Sequence, residues 1–461
     1  MALKDFLRRM PSAALLVAVA YLCLAPLALP TSLAHDQGRL LQVGLLAGVA
    51  LLTLLDRASG TALPAWLTRG GLAILALAGL STLRAARPSA AAQEVALMLG
   101  LAGLIVQAYR SARTGPVAWA YGGLLAGSCA YFALTTGIYA ALLVDGGPLN
   151  ARLLHLGFDN PRFFNHCQTL AIPILAGWSL TAQSRLHRTL AAGIISMHFA
   201  WLFMDLARAS LLALTVATLW CAWVGARPLW RRLLVCMFAG VVLNIVVFIL
   251  LPALLERSWT THFASPQELT SSHSRDLLLS AALDLARSHP WLGAGPMHFA
   301  TLVHPKGAHP HNLYLQWAAE YGLPSLLLLL LLLAKPLWRA TALLRRQSSS
   351  LPPMAAPLGA ALLAALIDAG FSGNFVMPLS QIWIALTYGL LLAALPIDAR
   401  QGGARPALRW LLPGLLLVSQ AWLFVQAWQQ WRHIPPRISS SSPVATADER
   451  PRPRFWQQGW L

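Results

Sequence analysis

The sequence predicts an all-α polytopic membrane protein, with about 12–13 transmembrane helices and one larger outward loop that contains short helices. Three observations carry that prediction. Hydrophobic residues make up 57% of the 461 positions and the mean hydropathy is +0.59, beyond the range of water-soluble domains. Apolar segments of roughly 17 to 25 residues recur along the whole chain. The basic residues, which give a net charge of +18, form short clusters between those segments and no continuous stripe. That is the pattern of cytoplasmic loops, and it speaks against nucleic acid as the partner.

The apolar segments lie near 12–30, 40–55, 68–83, 93–109, 116–144, 163–182, 189–207, 210–225, 229–252, 312–334, 353–371, 374–395 and 407–430. The first follows KDFLRR, the basic start of a signal peptide, but it has the length of a span and many spans follow it. It reads as a first helix with the N-terminus inside. Alternating sides from there, the inner loops hold Arg57 with Arg69, Arg110 with Arg113, Arg185 with Arg188, and Arg227 with Arg231 and Arg232. Later inner loops hold Lys335, Arg339, Arg345 and Arg346, then Arg400, Arg405 and Arg409. Each is short and basic or neutral, so the assignment agrees with itself. An odd count leaves the C-terminal tail outside, whereas one broken or re-entrant span moves it inside. The expected division is an N-terminal bundle over 1–250, an outer loop over 251–312, C-terminal helices over 313–430, and a tail over 431–461 whose SSSSP and PRPR runs predict disorder.

Cys23, Cys129, Cys167, Cys221 and Cys236 all fall in or beside apolar runs without metal-site spacing, and read as small core residues. The longest non-apolar stretch, Leu251 to Asn312, carries seven of the chain's 13 histidines: His262, His273, His289, His298, His304, His309 and His311. Chemistry therefore belongs on this loop and on the helix ends around it. Within it, SSHSRDLLLSAALDLARSHPWLGAGP predicts a helix capped by Ser274, which puts Arg275 in the first turn. Free backbone N–H groups and the positive dipole end make an anion site there; the plainer role is an Arg reaching lipid headgroups.

Polar residues then enter the outer end of a span in HPHNLYLQWAAEYGLPSLLLLLLLLA. His311, Asn312, Gln316 and Glu320 recur at near-helical spacing, and Glu320 lies deep enough to require a cavity or an Arg partner, unless it is a solvated helix end. FMDLARASLLAL places Arg208 at an outer turn three residues after Asp205, where a local ion pair is the bland alternative. FDNPRFFNHCQTLAIP places Arg162 and His166 four apart at the start of a span. Together Arg162, Arg208, Arg275, His311 and Glu320 make an outward polar basin with excess positive charge, suited to a pyrophosphate. A metal is the competing use of the His-rich loop, through His309 and His311, but no cysteine or acidic cluster completes a ligand set.

These residues resemble the O-antigen ligase and polymerase superfamily. The stretch from Arg275 through WLGAGP to HNLYLQWAAEYGLPSL is similar to its core pattern of an Arg, a P-x-x-G-x-G turn and HN-x-x-L-x-x-x-x-E-x-G. LARAS resembles the family's S-R-G motif, with Ala207 and Ala209 in place of the usual Ser and Gly. NPRFFNHCQT and SGNFVMPLSQ resemble a subgroup that includes pilin-type protein O-glycosylation ligases. The resemblance spans roughly residues 155 to 335. It implies transfer of a preassembled glycan from an undecaprenyl-pyrophosphate carrier to an acceptor hydroxyl, on lipid A core, on a pilin-like protein or on a growing polymer. The setting it implies is the periplasmic face of a bacterial inner membrane, with no cofactor and no metal.

The residues suit that chemistry, since the chain has neither a phosphate-binding G-x-x-x-x-G-K loop nor a D-x-D pair for a nucleotide sugar. By resemblance Arg208 and Arg275 clamp the leaving pyrophosphate, with Arg162 and His166 beside them. His311 orients or deprotonates the acceptor, Asn312 helps to orient it, and Glu320 supports His311 or an Arg. A transporter or flippase of anionic lipid-linked glycans would need a basic basin too, but the chain shows no internal symmetry of the kind transporters carry.

Overall fold

The computed structural model describes residues 13–29, 34–55, 63–146, 149–259, 275–301, 307–346, 351–396, 408–433 and 454–456. Among them are fifteen helices, taking Arg227–Leu254 as one, with a single isolated bridge between Leu149 and Trp259 and no strands. In chain order they are α1 (Ala13–Ala28), α2 (Ala34–Leu55), α3 (Ala65–Arg84), α4 (Pro88–Thr114), α5 (Ala118–Asp145), α6 (Pro161–Thr181), α7 (Arg185–Met204) and α8 (Arg208–Trp223). Then follow α9 (Arg227–Leu254), α10 (Arg275–Ser288), α11 (His298–Thr301), α12 (Leu313–Arg345), α13 (Ala355–Asp368), α14 (Pro378–Ala394) and α15 (Leu408–Trp431). Seven are long and apolar enough to cross a membrane: α2, α3, α4, α5, α9, α12 and α15. The chain is an all-α polytopic membrane protein.

Apolarity and burial divide the helices into two sets. The long apolar helices α3, α5, α9, α12 and α15 expose most of their side chains, as lipid-facing helices do. By contrast α6, α13 and α14 are buried almost throughout, and α13 packs against both α6 and α8 while α14 packs against α4. Small residues permit that closeness: a Cβ on Gly177 of α6 would collide with Pro357 of α13, and one on Gly389 of α14 with the backbone of α4. Without water in a bilayer, polar atoms on such central helices must find partners within the protein. Asn165 Nδ2, His166 and Gln168 of α6 do, and they are the start of the site.

The long helix α12 is not one continuous rod. Gly322 has φ 82° and ψ 166°, a conformation other residues rarely adopt, and Pro324 has no N–H for the carbonyl of Glu320. The freed backbone groups are met by the turn that precedes α11. Leu323 N–H donates to Pro290 O (2.8 Å), Ala294 N–H to Ala319 O (2.8 Å), and Gly295 N–H to Glu320 O (3.1 Å), which also accepts from Ser81 Oγ (2.9 Å). Cβ atoms on Gly293 and Gly322 would run into the backbone of Glu320 and Trp291. The two glycine motifs of the sequence are thus the two halves of one interlock.

The tail is the principal departure from expectation. Of 431–461, residues 434–453 and 457–461 lie outside the described residues, but Arg454, Phe455 and Trp456 are within 2% of full burial. The proline-rich composition predicts disorder because it offers few apolar residues, yet it carries a Phe-Trp pair that has a core to enter. His262, His273 and His304 also fall outside the described residues.

Candidate functional site

Four helix N-termini meet at one end of the bundle, and each carries a residue singled out from the sequence. Asn160 caps α6, its side chain accepting from Arg162 N–H (3.0 Å), with Pro161 in the first turn. Arg208 opens α8, Arg275 opens α10, and Asn312 caps α12 by accepting from Leu315 N–H (3.0 Å). The positive ends of these helix dipoles add to the potential of the arginines.

Of the residues expected in one basin, Arg162, Arg208, Arg275 and His311 lie together with His166, and Glu320 does not. Burial, and then the nearby Arg208, holds the Arg275 guanidinium below its ordinary value. Burial lowers the His311 imidazole to about 3, helped by the charges of Arg275, Arg162 and His166. Three arginines and two histidines therefore share one field, and His311 stays neutral within it.

His311 is held in an unusual backbone conformation, φ 55°, and its N–H donates to His309 Nδ1 (3.2 Å), the two rings lying 4.1 Å apart. Asn312 Nδ2 donates to Gly370 O (3.0 Å), Leu313 N–H to Ala369 O (2.9 Å) and Tyr314 hydroxyl to Leu366 O (2.6 Å). Three successive residues after His311 are thus fastened to the end of α13 and the loop beyond it. Both polar ends of Asn312 are engaged in this fastening.

Asp368, the last residue of α13, is a site residue the sequence reading missed. It is fully buried and accepts from His166 Nδ1 (3.1 Å), Ser372 Oγ (2.8 Å) and Ser210 Oγ (3.4 Å). Ser210 is two positions after Arg208, so one carboxylate ties α6, α8 and α13 below the arginines. A lone acidic residue at the end of an otherwise apolar helix was the available signal.

Asp205 has taken other partners than the local pair considered for it. Its Oδ2 accepts from Asn165 Nδ2 (2.8 Å) and meets His155 Nε2 at 2.9 Å. Burial opposes charge on His155, but the Asp205 carboxylate and its hydrogen bond outweigh that, and the imidazole is held above its ordinary value.

Glu320 belongs to a second, fully buried cluster. Its Oε1 accepts from Phe299 N–H (3.1 Å) and its Oε2 from Arg454 Nη2 (2.6 Å), which lies 3.4 Å from Glu94. The Arg partner demanded by its depth exists, 134 positions away in the tail. With its amide turned to suit, Gln316 also accepts from Arg454, at 2.6 and 2.9 Å. His309, 1% exposed, stands between the clusters: burial, then His311, Arg454 and His166, push its imidazole well below the ordinary range.

No curated protein matches the chain. Residues 192–330 match a family described as O-antigen ligase, a segment that carries Arg208, Arg275, the interlocked glycines, His311 and Glu320, and leaves out Arg162, His166, Asp368 and Arg454. Over that segment the chain is similar to the O-antigen ligase superfamily, a likeness that supports glycan transfer of the ligase or polymerase type in general.

Proposed function

We propose that this protein transfers a preassembled glycan from undecaprenyl pyrophosphate to a hydroxyl on lipid A core or on a protein Ser or Thr, at the periplasmic face of the inner membrane. The observation that carries this reading is the convergence of Arg162, Arg208 and Arg275 on a neutral His311 at a meeting of helix N-termini.

A pyrophosphate seated there meets guanidinium forks able to take two oxygens at once. His311 takes the proton of the acceptor hydroxyl as the acceptor oxygen bonds to the anomeric carbon. The bond from that carbon to the phosphate oxygen breaks, and its electron pair leaves on the pyrophosphate, where the arginines neutralise it. The proton then passes from the imidazolium to water. Burial first, and then the arginines, make this imidazole a weak base; a pyrophosphate's negative charge offsets the arginines' part and raises its basicity. Asp368 holds His166 and the Arg208 turn in register, and Asn312 serves acceptor orientation by fixing the backbone of His311. Glu320 supports the same loop from below.

The test is purified protein in bilayers with undecaprenyl-pyrophosphate glycan and either delipidated core or pilin. One acceptor is expected to become glycosylated, with or without EDTA. Movement of the donor across the bilayer with no transfer to either acceptor would replace transfer by transport. Loss in EDTA that Zn²⁺ or Mg²⁺ alone restores would return the His-rich loop to metal binding.

A further inference from the structure

We infer that Arg454–Trp456 is a cis-acting latch and that Arg454 is a positioning residue for the transfer site, an inference that rests on the reading above. The three residues are held as a bound peptide is held. Arg39 Nε donates to Phe455 O (3.1 Å) and Arg39 Nη2 to Arg454 O (3.1 Å), while the guanidinium lies 5.4 Å from the centre of the Phe455 ring. The Trp456 indole N–H donates to Gln430 Oε1 (2.9 Å). The Arg454 side chain enters between Glu94, Gln316 and Glu320. Backbone, aromatic face, indole and guanidinium each have a dedicated receptor, which is more than chance collapse of a tail would give.

The charges show why the latch matters. Arg454 contacts both Glu94 and Glu320, and Arg39 lies in the field of Glu94 and Asp36, in a buried cluster. Taking Arg454 away removes the guanidinium that Glu94 and Glu320 share, and an unpaired buried charge is far costlier than an unpaired surface one. The elements around it are those that carry His311. Gln316 and Glu320 lie on the first turns of α12, directly after His311 and Asn312; Phe299, bound by Glu320, begins the connection that returns to His309. Arg39 also donates to Val376 O, in the same loop that receives Asn312. The Arg454 guanidinium thus joins α12 to α4, and through Glu320 to Phe299 of α11, while the Arg39 guanidinium of α2 joins the tail's carbonyls to the α13–α14 loop.

The experiment uses the full chain in bilayers, with Gln430→Cys and Trp456→Cys joined by a thiol cross-linker long enough to replace the indole–amide contact. Cross-linking is expected in high yield, and the locked enzyme should transfer at the uncross-linked rate. No cross-link would remove the latch, and a locked enzyme without activity would make the segment a plug that must leave during turnover.

In parallel, deletion of 452–461 should lower kcat by about 10²-fold, as displacement of a catalytic group does, with donor KM nearly unchanged. Added peptide spanning 451–458 should restore transfer, and the same peptide with Arg454→Gln should not. Equal rescue by both peptides, or a deletion variant at full rate, would overturn the role of Arg454. A wild-type protein with no transfer at all would instead sink the functional reading, and the cross-link would still report on the latch.

Discussion

Single side chains separate charge from geometry at this site. Arg208→Lys and Arg275→Lys keep the charge but lose the planar fork, so each should lose most transfer while the protein still inserts and folds; wild-type rates in both would mean that the basin supplies field alone. His311→Ala should cost about 10²–10⁴-fold in kcat with donor binding retained, as loss of a general base does. His309→Ala should instead act through its Nδ1, the acceptor for His311 N–H, and so through the placement of the loop. The pH profile follows from the direction of the His311 shift. A value near 3 leaves the free enzyme's imidazole neutral at every pH above that, so kcat/KM should stay flat as pH falls from about 8 to about 5. A loss centred near the ordinary histidine value, about 6.5, would assign the base to another residue. The arginines and His311 were legible because spacing and helix starts are local features. Asp368 and Arg454 were not, because each acts on residues more than a hundred positions away: His166 and Ser210 for one, Glu320 for the other.

At the scale of elements, the break in α12 does what a straight helix could not. It frees the carbonyls of Ala319 and Glu320 to accept from Ala294 and Gly295, and so docks the α10–α11 turn onto the span that follows His311. Gly322→Ala and Gly293→Ala each combine a positive φ with a backbone collision, and should destabilise the protein by about 1–3 kcal/mol or more, read as a lower midpoint in thermal unfolding in detergent. Gly414→Ala, on α15 with open space around it, is the control and should leave that midpoint unchanged. The sequence showed the glycines and Pro324 as a motif. That they interlock depends on two segments meeting, which periodicity does not encode.

For the whole molecule, the open question of sequence was the side on which the tail lies. Arg454 meets the beginnings of α4 and α12 and Arg39 near the start of α2, so the chain's last described residues share an end of the bundle with the arginine basin. Given the basic inner loops, a reporter after Arg345 should be cytoplasmic, and reporters near Ser265 and at the C-terminus should both be periplasmic. A cytoplasmic signal near Ser265 would put the site on the wrong face for this chemistry. Spans and loop charges were readable because a bilayer imposes length and sidedness on every segment. Composition misjudged the tail because its Phe-Trp pair acts only through a receptor built by distant helices.

The pairing of Glu320 with Arg454 also sets an order on biosynthesis. A ribosome releases residue 320 long before residue 454, so through the insertion of α13, α14 and α15 the Glu320 carboxylate has no such counter-ion. The last stretch of the chain must be synthesised and delivered to the site's end of the bundle before that charge is matched. On the proposed reading, a protein terminated before Arg454 should insert its spans and yet transfer no glycan, which truncation followed by a transfer assay would check.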